Sequence, residues 1–512
     1  MERNYNKIAK FATNGIKSIK NKMEIDFLAN PKSANFPYEG SVKAFYGENG
    51  SGKTAIIHSF DILFKLMNDE NYLASEQNQK TLSELLNKES DNIELYISFL
   101  VYQFNKEELE YSVNNYRFII IDYSISLAKN KFGQFFINAQ SLEVFKKSDL
   151  KKAKKPLYKF VSNEENVIHN ETSSILNAKL QNQLLTKSFT SLLKSVINTT
   201  LVDILKKHDT ATSNDKSLNE LIEEAMDLDK DNMQKFKLEI LVSHYLIDFL
   251  SSVKVFVGEE DEINSANRSH LSDGLTQLNN SLDIDSHSVY IPNFDNIVDL
   301  DERIEFQNLI SSDIRANDVL SSKFVIKRES KDRFEKDMNY RTEIIRLFKP
   351  DIQNLSPYYT DISEKNKYII ANIAFDYGDY VVPLYLESSG TKKLFEFADS
   401  IKDIFNGGIV IYDELDSGLH DVILSRLVEF VSENCIGQLI FTTHNLAPME
   451  VLESKKDSID FINAKQEIVK WVKRGNSKAI NFYRSGKVKG IPHNLSADDF
   501  LRILGKEEQG SL

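Results

Sequence analysis

Residues 47–54 read Gly47-Glu48-Asn49-Gly50-Ser51-Gly52-Lys53-Thr54, a run that satisfies G-x-x-x-x-G-K-[ST]. Glycines let such a loop curl until its backbone N–H groups face phosphate oxygens, and the positive end of a following helix reinforces that field. Gly47, Asn49, Gly50, Ser51, Gly52, Lys53 and Thr54 are therefore candidate nucleotide-binding residues. Lys53 would meet the β- and γ-phosphates, and Thr54 would set its hydroxyl on Mg²⁺. At ordinary residue usage, chance supplies on the order of 0.02 such matches in a chain of this length. The flanks agree. Val42-Lys43-Ala44-Phe45-Tyr46 is a short apolar strand. From Thr54 onward Ile56, Ile57, Phe60, Leu63, Phe64 and Met67 recur at helical spacing.

Toward the C-terminus, Gly408-Ile409-Val410-Ile411-Tyr412-Asp413-Glu414 is an apolar strand ending in two carboxylates. Open α/β sheets bind ligands at that edge. Asp413 would hold Mg²⁺ through water, and Glu414 would orient and deprotonate an attacking water. After a helix at Val422–Glu433 comes Gln438-Leu439-Ile440-Phe441-Thr442-Thr443-His444-Asn445, a strand whose end puts His444 in the place of a γ-phosphate sensor. A helix over Thr391–Phe405 precedes these elements, and the alternation predicts parallel βαβ units.

In this order the three motifs resemble those of the ABC/SMC class of ATPases. A fourth stands upstream of the acidic strand: Leu386-Glu387-Ser388-Ser389-Gly390-Thr391-Lys392-Lys393-Leu394. It is similar to the E-S-S-G-T-x-x-L signature of ABC-like ATPases in OLD-type and abortive-infection phage defence, not to the L-S-G-G-Q of transporters. Ser388, Ser389 and the backbone at Gly390 form an anion site at a helix start; the alternative is a plain Ser-Gly helix cap. The resemblance implies that this segment serves the γ-phosphate held by the opposite subunit. Leu415-Asp416-Ser417-Gly418-Leu419-His420-Asp421 occupies the place of the D-loop but reads Gly-Leu-His-Asp where relatives often read Ser-Leu-His-Pro. Gly15-Ile16-Lys17-Ser18-Ile19 resembles the opening strand of such ATPases. The likeness spans residues 5–140 and 340–465.

The resemblance implies an α/β fold, an ABC/SMC-type P-loop ATPase head assembled from N- and C-terminal parts. It also implies ATP and Mg²⁺ as ligands, with Glu414, Lys53 and His444 as catalytic residues and Thr54 and Asp413 as metal ligands. The implied assembly is a dimer or higher oligomer. It would act as sensor or scaffold in an antiphage system like the PARIS, Septu or abortive-infection L types. A separate nuclease or toxin encoded nearby would be its effector, and DNA or a phage protein its trigger. The expected layout is 1–144 for the N-terminal part of the head, 145–335 for a helical insertion offering a partner or assembly surface, and 336–512 for the C-terminal part. The alternative function is a DNA-repair or chromosome ATPase of the RecF/SMC kind; a transporter nucleotide-binding domain fits least, given the signature.

The rest of the chain bounds these readings. Its 512 residues are 41% apolar and 27% charged, ordinary globular composition. A net charge of −13 excludes a uniformly basic nucleic-acid binder. The one cysteine, Cys435, excludes an intrachain disulfide and a zinc hook. No apolar run reaches the length of a membrane span, and Met1–Lys7 lacks the core of a leader, so a cytoplasmic protein is expected. With so few residues after His444, the Toprim nuclease of OLD proteins is not expected. Residues 93–140 read as a β-meander, and Leu176–Leu205 and Leu218–Phe256 read as helices. Residues 258–288 read as a polar loop. Lys146, Lys147, Lys151, Lys152, Lys154 and Lys155 read as a solvated face, with a DNA backbone strip as the open alternative. Gln103, Gln134 and Gln140 remain open as Q-loop candidates.

Overall fold

The computed structural model describes residues 4–27, 41–103, 118–147, 156–163, 183–195, 230–257, 323–360, 368–455, 457–473 and 477–485. The chain divides into two compact units. The first comprises Met1–Val257, Asn406–Glu414 and Val428–Leu512; the second comprises Gly258–Phe405 and Leu415–Leu427.

The chain enters the first unit with β1 (Asn4–Asn14), β2 (Met23–Asp26), β3 (Val42–Gly47), α1 (Lys53–Asn68), α2 (Glu76–Leu85), β4 (Asn92–Gln103), β5 (Phe118–Lys129), β6 (Phe135–Lys147), β7 (Tyr158–Asn163), α3 (Lys230–Ser251) and β8 (Val253–Phe256). The second unit holds β9 (Lys323–Lys327), α4 (Lys331–Phe348), β10 (Asn354–Thr360), β11 (Tyr368–Asp376), β12 (Val381–Pro383) and α5 (Ser389–Phe405). The chain continues with β13 (Ile409–Tyr412), α6 (Asp421–Asn434), β14 (Gln438–Thr442), α7 (Ala447–Leu452), β15 (Ile459–Ile462), β16 (Ile468–Lys470) and α8 (Ala479–Arg484).

Two six-stranded sheets organise the described part of the first unit. One runs β2-β1-β4-β5-β6-β7 and is antiparallel throughout. Its strands alternate: in β5, Ile121, Tyr123, Ile125 and Leu127 are buried while Asp122, Ser124 and Ser126 are half-buried between them. That period of two marks a sheet with one face on the core. The other runs β16-β15-β3-β14-β13-β8, and only β16 is antiparallel to its neighbour. Every residue of β3, β13 and β14 is buried, as expected for parallel strands covered on both faces. β3, the strand before the phosphate loop, sits between β14 and β15. The head is therefore assembled from N- and C-terminal parts, and its α/β fold is that expected of the P-loop ATPase head.

The two sheets are tied through Gln438. Its amide donates to Ile8 O (3.1 Å) and accepts the Ile8 N–H (2.6 Å), which satisfies a buried strand backbone on both sides. Phe60 of α1 stacks on Phe11 at 3.8 Å between centroids. Inside the parallel sheet, Lys43 Nζ lies 2.7 Å from Asp460, both side chains being almost inaccessible. Burial pushes the lysine's pKa down and the aspartate's up, and their attraction opposes both shifts. Cys435 is buried and its thiol is pushed up to about 12 by that burial, which makes it a packing residue rather than a nucleophile.

Helical spacing misreads the end of the 218–256 stretch. α3 stops at Ser251, the Ser252 hydroxyl donates back to Phe249 O (2.7 Å), and Val253-Lys254-Val255-Phe256 becomes β8, paired with β13. β-branched and aromatic residues suit that edge. The antiparallel sheet also continues past residue 144, through the end of β6 and all of β7. Lys151–Lys155, residues 164–182, 196–229 and the expected loop at 258–288 lie outside the described residues. β12 is followed directly by a 3₁₀ turn at Leu384–Leu386. No helix among the described residues is long and apolar enough to cross a membrane.

In the second unit β11 pairs with β10 on one side and with β9 and β12 on the other. α4 and α5 are cross-linked by charge. Arg341 Nε donates to Asp337 (3.0 Å), Arg341 Nη2 lies 3.2 Å from Asp399, and Lys402 Nζ lies 3.3 Å from Asp337. The guanidinium also lies over the Phe395 ring, 4.7 Å from its centroid. Arg341 and Asp399 are 3% and 4% exposed, so Arg341→Ala strands a buried carboxylate. We expect a loss of about 3–5 kcal/mol in urea denaturation; a loss below about 1 kcal/mol would show the cluster to be solvated.

Candidate functional site

Three adjacent parallel strands bring the candidate groups to one edge. Phe45 pairs with Thr442, and Phe441 with Tyr412. The phosphate loop starts just beyond Phe45, Asp413 directly follows Tyr412, and His444 stands two residues past Thr442. Neighbouring strands are about 4.8 Å apart, so loop, carboxylates and histidine leave the sheet within roughly two strand spacings.

The loop is wound tightly. Ser51 N–H donates to Glu48 O (3.2 Å), and Ile56 N–H to Gly52 O (3.1 Å). Buried Lys53 folds its ammonium back onto Gly47 O (2.8 Å) and Glu48 O (2.9 Å). A Cβ on Gly47 would stand 2.6 Å from both Ile462 O and Ser51 Oγ, so only glycine fits there. Ser51 Oγ is buried with no hydrogen-bond partner among the described residues, a cost that a polar ligand would remove. The first turn of α1 carries no acidic residue, leaving its positive end free to meet an anion. These residues suit a polyphosphate.

The acidic pair is held by a residue that the motif reading did not single out. Thr442 Oγ1 donates to Asp413 Oδ1 and accepts the Glu414 N–H at 2.8 Å. Thr442 and Asp413 are buried, and Glu414 is exposed. Glu414 adopts φ +49°, a conformation uncommon outside glycine; the Thr442 bond fixes it there. The only signal in the sequence was its position next to Thr443-His444. His444 is exposed, while its neighbours are tied: Thr443 N–H donates to Phe45 O (3.3 Å), and Asn445 N–H to Thr443 Oγ1 (2.9 Å).

The signature segment belongs to the second unit. Ser388 Oγ accepts the Thr391 N–H (3.2 Å) and lies 2.8 Å from Thr391 Oγ1, at the start of α5. Ser388 and Ser389 are exposed. Gly390 packs backbone to backbone on Gly418: a Cβ on Gly390 would lie 2.3 Å from Gly418 O, and Gly418 itself holds φ +73°. Gly418, where relatives often have serine, thus has a steric reason, because only glycine allows that approach.

Two glutamines leave the Q-loop list. Buried Gln140 accepts Phe189 N–H (2.7 Å) and Tyr123 O–H (3.3 Å) and donates to Leu184 O (3.2 Å), a packing role. Gln134 closes the β5–β6 hairpin through Asn130. Among the described residues no group of three or more His, Cys, Asp or Glu is arranged to hold a metal; Thr54 and Asp413 remain the pair to test.

Residues 43–450 match the family model described as "AAA domain, putative AbiEii toxin, Type IV TA system". The chain belongs to this family. The matched range spans the phosphate loop, the signature segment, both carboxylates and His444. The family is of the ABC-like ATPase class. No curated protein matches the chain. Among solved structures, this AAA-domain protein is similar to an Smc head bound to the C-terminal winged-helix domain of ScpA, at 14% identity over 90% of this chain and 97% of that one, with a TM-score of 0.37. It is also similar to an Smc head with an extended coiled coil bound to the C-terminal domain of ScpA, derived from Pyrococcus furiosus (14% identity, 99% and 100% coverage, TM-score 0.35). The Smc head of Thermotoga maritima shows a likeness at 14% identity, 91% and 100% coverage and a TM-score of 0.29. Scores this low carry no weight; the fold rests on the strand order.

Proposed function

We propose that this AAA-domain protein binds and hydrolyses ATP and uses the cycle as a switch in a bacterial antiphage system. The observation that carries the ATPase reading is the convergence of the phosphate loop, Asp413, Glu414 and His444 at the ends of three neighbouring parallel strands. Gly47–Thr54 would cradle the phosphates, Lys53 turning from its loop carbonyls to the β- and γ-oxygens. Thr54 and Asp413 would hold Mg²⁺, which would supply neutralising charge at the phosphates. Glu414 takes a proton from the attacking water as general base, and His444 reads the γ-phosphate.

These groups surround the phosphates from one side. Ser388, Ser389 and Gly390 would close the site of a second subunit, so the working form is at least a dimer. Preorganised donors around the developing charge are a large part of catalysis, and an isolated subunit hydrolyses ATP poorly. Mixing tests this. A Lys53→Ala subunit and a Ser388→Arg subunit are each inactive, yet together they pair one intact loop with one intact signature and regain activity. No recovery from subunits shown to exchange would mean that each chain works alone.

The E-S-S-G-T form and the toxin–antitoxin words in the family's description support a defence role like that of PARIS, Septu or abortive-infection L ATPases. In this role the chain is sensor or scaffold, the region 145–335 offers the partner surface, and a neighbouring gene supplies the nuclease or toxin that DNA or a phage protein unleashes. Expression alone should leave growth unaffected, and expression with the neighbouring genes should arrest it on infection. Growth arrest by this chain alone would place the effector within it. Replication genes as neighbours would favour a repair ATPase instead.

A further inference from the structure

The signature serine is wired to a lysine from another helix. Pro350 follows Lys349, and the residue before a proline is pushed out of the helical region, so α4 ends at Phe348 and Lys349 caps it. Asp337 and Arg341 of α4 and Lys349 at its cap meet α5 in antiparallel order. Asp337 pairs with Lys402, Arg341 with Asp399 and with Phe395 O (3.4 Å), and Lys349 Nζ donates to Thr391 Oγ1 at 2.9 Å. Ile345, between them in the helical register, is buried. The buried charge cluster therefore sets where Lys349 stands against the first turn of α5.

Proton accounting gives the link a direction. Thr391 Oγ1 accepts from Lys349, which can only donate. Ser388 Oγ already accepts the Thr391 N–H. Protons in the Thr391–Ser388 pair, 2.8 Å apart, are repelled from the ammonium, so the Thr391 hydroxyl donates to Ser388 and the Ser388 hydroxyl proton is left to point outward. Chains of hydrogen bonds polarise one another, so the cation strengthens the exposed donor. The nearest negative group here is Glu387, with Asp351 also acting on Tyr377: the Glu387 carboxylate accepts the Ser388 N–H (3.2 Å) and the Tyr377 O–H (2.7 Å). Uncompensated, that charge would repel a phosphate. Lys349 lies over the Tyr377 ring at 5.8 Å and offsets it.

We propose that Lys349 is a positioning residue: acting through Thr391, it orients and polarises the Ser388 hydroxyl as a donor to the γ-phosphate of the opposite subunit's ATP. This rests on the composite-site reading above. The side chain touches no substrate atom itself, so its loss acts on turnover rather than on ATP binding to the phosphate loop.

The test uses the full chain with ATP and Mg²⁺. Lys349→Met and the milder Lys349→Gln should lower kcat about tenfold, the scale of one charge-assisted hydrogen bond, with KM and the calorimetric Kd for ATP within about twofold. Lys349→Arg should recover most of the rate. Thr391→Val should lower kcat to a similar extent, and the Lys349→Gln/Thr391→Val double variant should be no slower than the worse single, because both break one relay. Mixing Lys349→Gln subunits with Lys53→Ala subunits should restore a working site, since the defect lies in the signature half. Ser388→Ala separates the two failures. If Ser388→Ala slows turnover and Lys349→Gln does not, the relay is wrong and the composite site stands. If neither slows turnover, the signature reading falls and the relay with it. Additive losses in the double variant, or a Kd that rises with the fall in rate, would also overturn the relay.

Discussion

Glu414→Gln lowers ATP turnover by about 10²–10⁴-fold, the contribution of a positioned general base, while ATP still binds. The substitution keeps the size of the side chain and removes its ability to take a proton. It leaves the scaffold alone, because what holds residue 414 is its backbone: the N–H donates to Thr442 Oγ1, and the same hydroxyl donates to Asp413. The φ of +49° therefore persists in the variant. With binding intact and hydrolysis stopped, the variant should accumulate as an ATP-bound dimer, visible by size-exclusion chromatography with ATP and absent without it. Single-turnover measurements are the decisive readout. Wild-type turnover by Glu414→Gln would move the base elsewhere. Thr442→Val offers a cross-check: it removes the hydroxyl that bonds both the Asp413 carboxylate and the Glu414 N–H and should slow hydrolysis with Asp413, Glu414 and His444 all in place.

Lys53→Ala weakens ATP binding. In the structure the Lys53 ammonium donates to Gly47 O and Glu48 O. The substitution removes both the loop's internal tie and the main side-chain partner of the β- and γ-phosphates. Hydrogen bonds involving a charged group contribute about 1.5–3 kcal/mol each, so affinity should fall by roughly one to two orders of magnitude. Isothermal calorimetry measures this directly, and an unchanged Kd would remove the phosphate-loop assignment. The loop's other glycines and the acid-free first turn of α1 remain, so the residual binding should be the part carried by backbone N–H groups, and it should weaken with salt.

Much of this was legible one residue at a time. The phosphate loop, the apolar strands with their terminal Asp413, Glu414 and His444, and the βαβ alternation are local patterns. Each states its own chemistry and period within a dozen residues, and local period is set by backbone geometry. The fully buried β3, β13 and β14 follow from that same apolar continuity. Even the meander of β4, β5 and β6 declares itself by turns and alternation.

Only the tertiary structure decided the rest, because it depends on who stands opposite whom. That β3 lies between β14 and β15, nearly four hundred residues further along, is a pairing that no local window contains. β8 reads as the tail of a helix until β13 gives it a partner. Thr442 is one threonine among many until its hydroxyl is seen bridging Asp413 and Glu414. Gly390 and Gly418 look like unrelated turns until their backbones touch. Lys349 is a lysine before a proline until Thr391 Oγ1 accepts its hydrogen bond. A hydrogen bond needs two groups within about 3 Å, and a chain written in one dimension carries the groups but not that distance.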